Sequence, residues 1–119
     1  MAVFFQTQAS QALLTAFNNA ITLPANQAGA IDTWERVNHG GVDYYTHRSQ
    51  QYGRKAFFKP AIENNQLAFY IVAADKVPLT RDVYSYYAGH LAETFIRHFP
   101  THFSWVQATP NRYGQDTAF

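Results

Sequence analysis

The stretch AFFKPAIENNQLAFYIVA, residues 56–73, constrains the fold more than any other part of the chain. Asn64 and Asn65 separate two runs rich in strand formers, and asparagine readily adopts the left-handed conformations of a tight hairpin turn. A turn at this point sets four apolar pairs opposite each other: Ile62–Leu67, Pro60–Phe69, Phe58–Ile71 and Ala56–Ala73. Because a slip of one residue would turn Lys59 toward the core, the pattern predicts one register and one apolar sheet face.

The same alternation begins at residue 31, which extends the predicted sheet well beyond this hairpin. Four strands are predicted at about 31–37, 42–48, 54–62 and 66–74. A fifth is predicted at about 102–108, after Pro100.

Two segments with helical periodicity flank the four strands. Residues 7–23 and 78–100 carry apolar side chains at spacings of three and four, and Thr80 is a suitable N-cap for the second segment. The predicted order is therefore α-β-β-β-β-α-β. We expect a two-layer α+β domain over residues 1–108, with an antiparallel sheet of four to five strands covered on one face by two helices. Residues 109–119 are predicted to form a C-terminal tail.

Charge is scarce in this chain and unevenly placed. Charged residues make up 14% of the sequence, against about 25% in typical soluble domains. Residues 1–31 contain no Asp, Glu, Lys or Arg. Because a surface with few charges resists association poorly, the composition favours a homo-oligomer, a homodimer in the simplest case, or a standing protein partner. The sequence leaves open whether the first helix packs on its own sheet or on another subunit.

Several functional classes are disfavoured by what the sequence contains. A net charge of +1 provides little of the electrostatic attraction that nucleic acid binding uses. The N-terminal residues lack the pattern of a signal peptide, and no apolar stretch approaches the length of a membrane span. The expectation is a cytoplasmic protein that binds neither a membrane nor nucleic acid.

Metal and cofactor chemistry is not predicted either. There are no cysteines. His98 and His102 have the spacing of paired ligands on one helix, but Pro100 interrupts the helix between them. No catalytic residue, metal ligand or cofactor is assigned.

The segment NHGGVDYYTHRS, residues 38–49, fits a hairpin in either of two registers. A two-residue loop of Gly40 and Gly41 would place Trp34 opposite His47 and Asn38 opposite Asp43. A four-residue loop, residues 38–41, would align apolar, aromatic and opposite-charge pairs, and we expect this register for that reason. The glycines then serve a turn rather than a phosphate site, because phosphate loops lead into a helix and this segment leads into a strand.

Aromatic and arginine residues are concentrated on the predicted strands. Such residues are enriched at protein interfaces. We expect a non-enzymatic interaction domain that binds a protein through an aromatic, arginine-bearing sheet face. The predicted binding residues are Trp34, Arg36, Tyr44, Tyr45, His47, Arg48 and Arg54. The alternative is a small-molecule-binding protein or small enzyme with a cleft lined by Trp34, Tyr45, His47 and Arg48.

Overall fold

The computed structural model describes residues 1–111, which form two helices and six strands. In chain order these are β1 (Ala2–Gln6), α1 (Ser10–Thr22), β2 (Trp34–His39), β3 (Val42–His47), β4 (Ala56–Glu63), β5 (Gln66–Ala73), α2 (Arg81–His98) and β6 (Val106–Thr109). The α+β class is confirmed, and from α1 onward the order of elements is the predicted one. One strand precedes it, so the sheet has six strands rather than four to five.

The sheet is antiparallel, with the strand order β2-β3-β4-β5-β1-β6. The additional strand, β1, lies between β5 and β6, with Phe4 opposite Ala68 on one side and Gln107 on the other. Residues 2–5 are all buried. A strand buried on both faces has no reason to alternate between polar and apolar residues, and this explains why its sequence lacks the period of two.

The register of β4 and β5 is confirmed pair by pair. Ala56, Phe58, Pro60 and Ile62 lie opposite Ala73, Ile71, Phe69 and Leu67. Asn65 takes the left-handed conformation that the turn needs, with φ of 63°. The apolar face of this hairpin forms the floor of the core.

The expected register of β2 and β3 was wrong. Trp34 lies opposite His47 and Asn38 opposite Asp43, so the loop consists of Gly40 and Gly41 alone. The two registers differ by two residues and present the same side chains to the same faces, so burial does not distinguish them. The turn conformation selects the observed register. Gly40 and Gly41 have positive φ, 60° and 81°, as a two-residue type I′ turn requires, and that turn matches the twist of the strands.

The core lies between the sheet and the two helices. Phe17 of α1 packs against Tyr45 and Phe69 of its own sheet, with ring centroids 4.9 and 6.1 Å apart. The first helix therefore covers the sheet of the same chain. α2 begins at the predicted cap, where Thr80 Oγ1 accepts a hydrogen bond of 3.2 Å from the Val83 N–H.

The C-terminal part of the chain is described up to residue 111. The last strand begins at Val106, later than predicted. Before it, residues 99–102 form a turn in which the His102 N–H bonds to the Phe99 carbonyl at 3.0 Å. The predicted tail, 109–119, starts at the last residue of β6, and 112–119 lie outside the described residues. Neither helix in residues 1–111 is long and apolar enough to cross a membrane.

Candidate functional site

The sheet has a second face, opposite the helices, which we call the open face. Apolar side chains from four neighbouring strands lie side by side on it. Val37 of β2 is opposite Tyr44 of β3, and Phe57 of β4 is opposite Val72 of β5. All four are half-buried, and the rings of Tyr44 and Phe57 meet edge to face at 6.4 Å. A sheet face that only contacts water usually carries polar side chains, so a row of apolar side chains here is unexpected.

This row forms the floor of a groove of about 490 Å³. The walls come from Arg54 before β4, from His39 at the end of β2, and from Asp75 and Lys76 after β5. Arg54 and Lys76 are both exposed. The groove therefore joins an apolar floor to a rim with more positive than negative charge.

Both cationic residues of the rim have an unusual backbone. Arg54 and Lys76 have φ of 58° and 60°, a conformation that few residues other than glycine adopt. Such a conformation is costly and persists when the surroundings hold it, as they often do at functional sites. For Arg54 the holding contact is a hydrogen bond of 3.1 Å from its N–H to Thr46 Oγ1.

Three of the predicted binding residues lie on this side of the sheet. Tyr44 and Arg54 line the groove. Arg48 lies beside it and shares the carboxylate of Glu35 with Arg54. The guanidinium nitrogens are 3.9 and 2.7 Å from the carboxylate oxygens.

The other four predicted residues lie on the helix side. Trp34 and Tyr45 have no exposed surface, and His47 is 4% exposed. Trp34 donates a hydrogen bond of 3.1 Å to Thr94 Oγ1, and the Tyr45 hydroxyl donates to Asn18 Oδ1. Burial raises the pKa of Tyr45 to about 12. Arg36, opposite Tyr45, is exposed at the margin of this side.

Sequence reasoning missed the other eight residues that line the groove, among them Val37, Phe57, Val72 and Lys76. The signal for two of them was present, because the register predicted for β4 and β5 already places Phe57 opposite Val72 on the non-core face. For Lys76 there was no signal, since its place at the rim depends on the turn after β5.

A second cluster of polar groups surrounds His47, where β3 meets α2. The imidazole packs edge to face against His90 and Tyr86, with ring centroids 5.0 and 5.1 Å away. Nδ1 accepts a hydrogen bond of 3.0 Å from the Ser49 N–H, and Nε2 has no hydrogen-bond partner among the described residues. In residues 1–111 there is no group of three side chains suited to holding a metal ion.

The chain matches no protein-family model, and no curated protein or solved structure is significantly similar to it. The function is therefore argued from the site alone.

Proposed function

We propose that this protein is a protein-binding domain that holds a partner segment in the groove of the open face. The segment would carry an apolar side chain for the floor and carboxylates for the rim. The observation that carries the proposal is the row of Val37, Tyr44, Phe57 and Val72 beneath the cations Arg54 and Lys76.

The apolar floor provides the attraction. Each square ångström of apolar surface removed from water contributes about 25 cal/mol, and the four floor residues are only half-buried in the free chain. Tyr44 also offers a large, rather rigid surface with a polar tip, a combination that is common at protein interfaces.

The rim argues for a protein segment over a small molecule. Small-molecule sites fix their ligand with a few polar groups held in set positions. Here the charged groups of the rim, Arg54, Asp75 and Lys76, are all exposed. The long side chains of the two cations suit the steering of an acidic partner better. The low charge of the remaining surface is consistent with a protein that works in a complex.

The test compares two substitutions that each place a carboxylate on an apolar surface position. Val72→Glu alters the groove floor, whereas Ile96→Glu alters an exposed position of α2, where the isoleucine is 55% exposed. The wild-type chain captures its partner from an extract of the source cells, and the purified partner is then titrated calorimetrically into each variant.

We expect Val72→Glu to weaken binding at least tenfold and Ile96→Glu to change it by less than twofold. Equal effects of the two variants would contradict the proposal. The wild-type chain could instead form a dimer that dissociates in Val72→Glu and binds no other protein. That result would show that a second copy of the chain occupies the groove, and it would contradict the proposal of an acidic partner.

A further inference from the structure

Ser49 makes hydrogen bonds within the loop between β3 and β4, residues 48–55, and is itself hydrogen-bonded to His47. The Ser49 N–H donates to His47 Nδ1 at 3.0 Å. Ser49 in turn holds the loop: its Oγ accepts from the Tyr52 N–H at 2.9 Å, and its carbonyl accepts from the Gly53 N–H at 2.8 Å. Gly53 directly precedes Arg54, so this chain of contacts runs from the imidazole to the rim of the groove.

The hydrogen bond to Ser49 determines which nitrogen of His47 carries the proton. A backbone N–H can only donate, so Nδ1 must be the unprotonated acceptor and the single proton of neutral imidazole must lie on Nε2. A second proton could then bind only at Nδ1. Such a proton would face the Ser49 N–H directly, and the hydrogen bond would be lost.

The groups that face His47 do not compensate a positive charge. From α2 they are Tyr86, Tyr87 and His90, and the proximity of His90 opposes a positive charge on His47. From β2 it is Trp34. A neighbouring cavity of about 230 Å³ is lined by His47 with Glu35, Arg48, Gly53 and Arg54, and there the carboxylate of Glu35 is already ion-paired with Arg54 at 2.7 Å.

We propose that the hydrogen bond between His47 and Ser49 is a pH-sensitive latch. Protonation of His47 at Nδ1 releases Ser49 and loosens its contacts to Tyr52 and Gly53. Arg54 keeps its hydrogen bond to Thr46 Oγ1 but loses the support of Gly53, and so shifts at the rim of the groove. In its effect on partner binding the inference rests on the proposed function; the movement of the loop does not.

The direction of the pH dependence follows from the surroundings. Burial lowers the pKa of His47 below the ordinary value of 6.5, and the proximity of His90 lowers it further. Because the folded chain disfavours the charged imidazole, the latch is closed at neutral pH and opens below pH 6.5. The same shift means that folding stability is fully present above pH 6.5 and falls as the pH drops toward the folded-state pKa.

Nitrogen-15 NMR of the full chain tests the latch without any partner. At pH 7.5 we expect His47 to show an unprotonated Nδ1 and a protonated Nε2. On acidification the Ser49 amide signal should shift together with the His47 ring signals, with a midpoint below 6.5. A proton on Nδ1 at pH 7.5, or a Ser49 amide chemical shift that does not change as His47 titrates, would overturn the inference.

Three variants sharpen the test. His47→Asn keeps an acceptor near the position of Nδ1 but cannot be protonated, so the Ser49 signal should no longer respond to pH. His90→Gln removes the neighbouring imidazole and should move the midpoints of the His47 and Ser49 signals upward together, so it tests the latch even if His47→Asn does not fold. His102→Gln alters an exposed histidine in the turn after α2 and should leave the midpoint unchanged. A Ser49 midpoint that does not follow the His47 midpoint in His90→Gln would contradict the latch.

Binding measurements separate the two proposals. With the partner captured by the wild-type chain, we expect affinity to fall at least tenfold between pH 7.5 and a pH below the midpoint, and to be constant in His47→Asn. A loop that responds to acid in a chain whose groove binds no partner would refute the proposed function alone. Groove binding with no pH response of Ser49 would refute the latch alone.

Discussion

At the scale of single residues, the hydroxyl of Tyr87 fixes the loop between β3 and β4. It donates to the Tyr52 carbonyl, accepts from the Lys55 N–H at 3.3 Å, and lies 3.1 Å from Thr46 Oγ1. The residue has no exposed surface. These partners lie far from Tyr87 in the chain, so nothing in the local sequence around either segment indicates the contact.

Removing this hydroxyl should therefore cost stability. We expect Tyr87→Phe to lower the free energy of unfolding by about 1–3 kcal/mol, because the Tyr52 carbonyl and the Lys55 N–H lose their hydrogen-bond partner. Urea unfolding measures the change. Tyr44→Phe, on the half-buried open face, is the matched control and should alter the free energy by less than about 0.5 kcal/mol. An equal loss of unfolding free energy in the two variants would contradict the role of the Tyr87 hydroxyl in stabilising the loop.

At the scale of elements, two glycines show how backbone conformation decides what a position requires. Gly41 has φ of 81° in the β2–β3 turn, whereas Gly89 lies inside α2. An added Cβ would meet nothing within 4 Å at either position. The effect of alanine at each site must therefore come from the backbone and not from a clash.

The same substitution should have opposite effects at these two positions. Gly89→Ala should raise the free energy of unfolding by about 1 kcal/mol, because glycine is a poor helix former. Gly41→Ala should lower it by about 1–2 kcal/mol, the cost of a left-handed conformation for a residue with a Cβ. Thermal and urea unfolding measure both changes. A loss at Gly89 would show that the missing side chain there serves packing and not an open surface.

The elements predicted from the sequence are those whose patterns are local. The hairpin of β4 and β5 was predicted pair by pair, and α2 was predicted with its cap at Thr80, because alternation and capping are read over a few residues. The strand β1 was missed because Phe4 and Phe5 are both buried, on opposite faces of the sheet. The register of β2 and β3 was missed because the prediction rested on favourable cross-strand pairs. The preference of Gly40 and Gly41 for a two-residue turn proved to be the stronger signal.

At the scale of the whole molecule, the predicted binding residues are divided between the two sides of the sheet. Tyr45 and His47 lie on the helix side, whereas Tyr44 and Arg54 face the groove. Successive side chains of a strand point to opposite faces, so β3 divides its side chains in this way, but its sequence does not indicate which side the helices cover. The groove itself could not be predicted, because its parts come from four strands and from the turn that holds Lys76.

Methyl NMR of the chain titrated with its captured partner tests the central claim, that the open face is where the partner binds. Val37 and Val72 report on the groove floor, and the exposed Ile62 and Ile96 report on surfaces outside it. We predict that the two valine signals shift or broaden as partner is added, while the two isoleucine signals stay unchanged. Shifts at Ile62 or Ile96 with unchanged Val37 and Val72 would contradict the account.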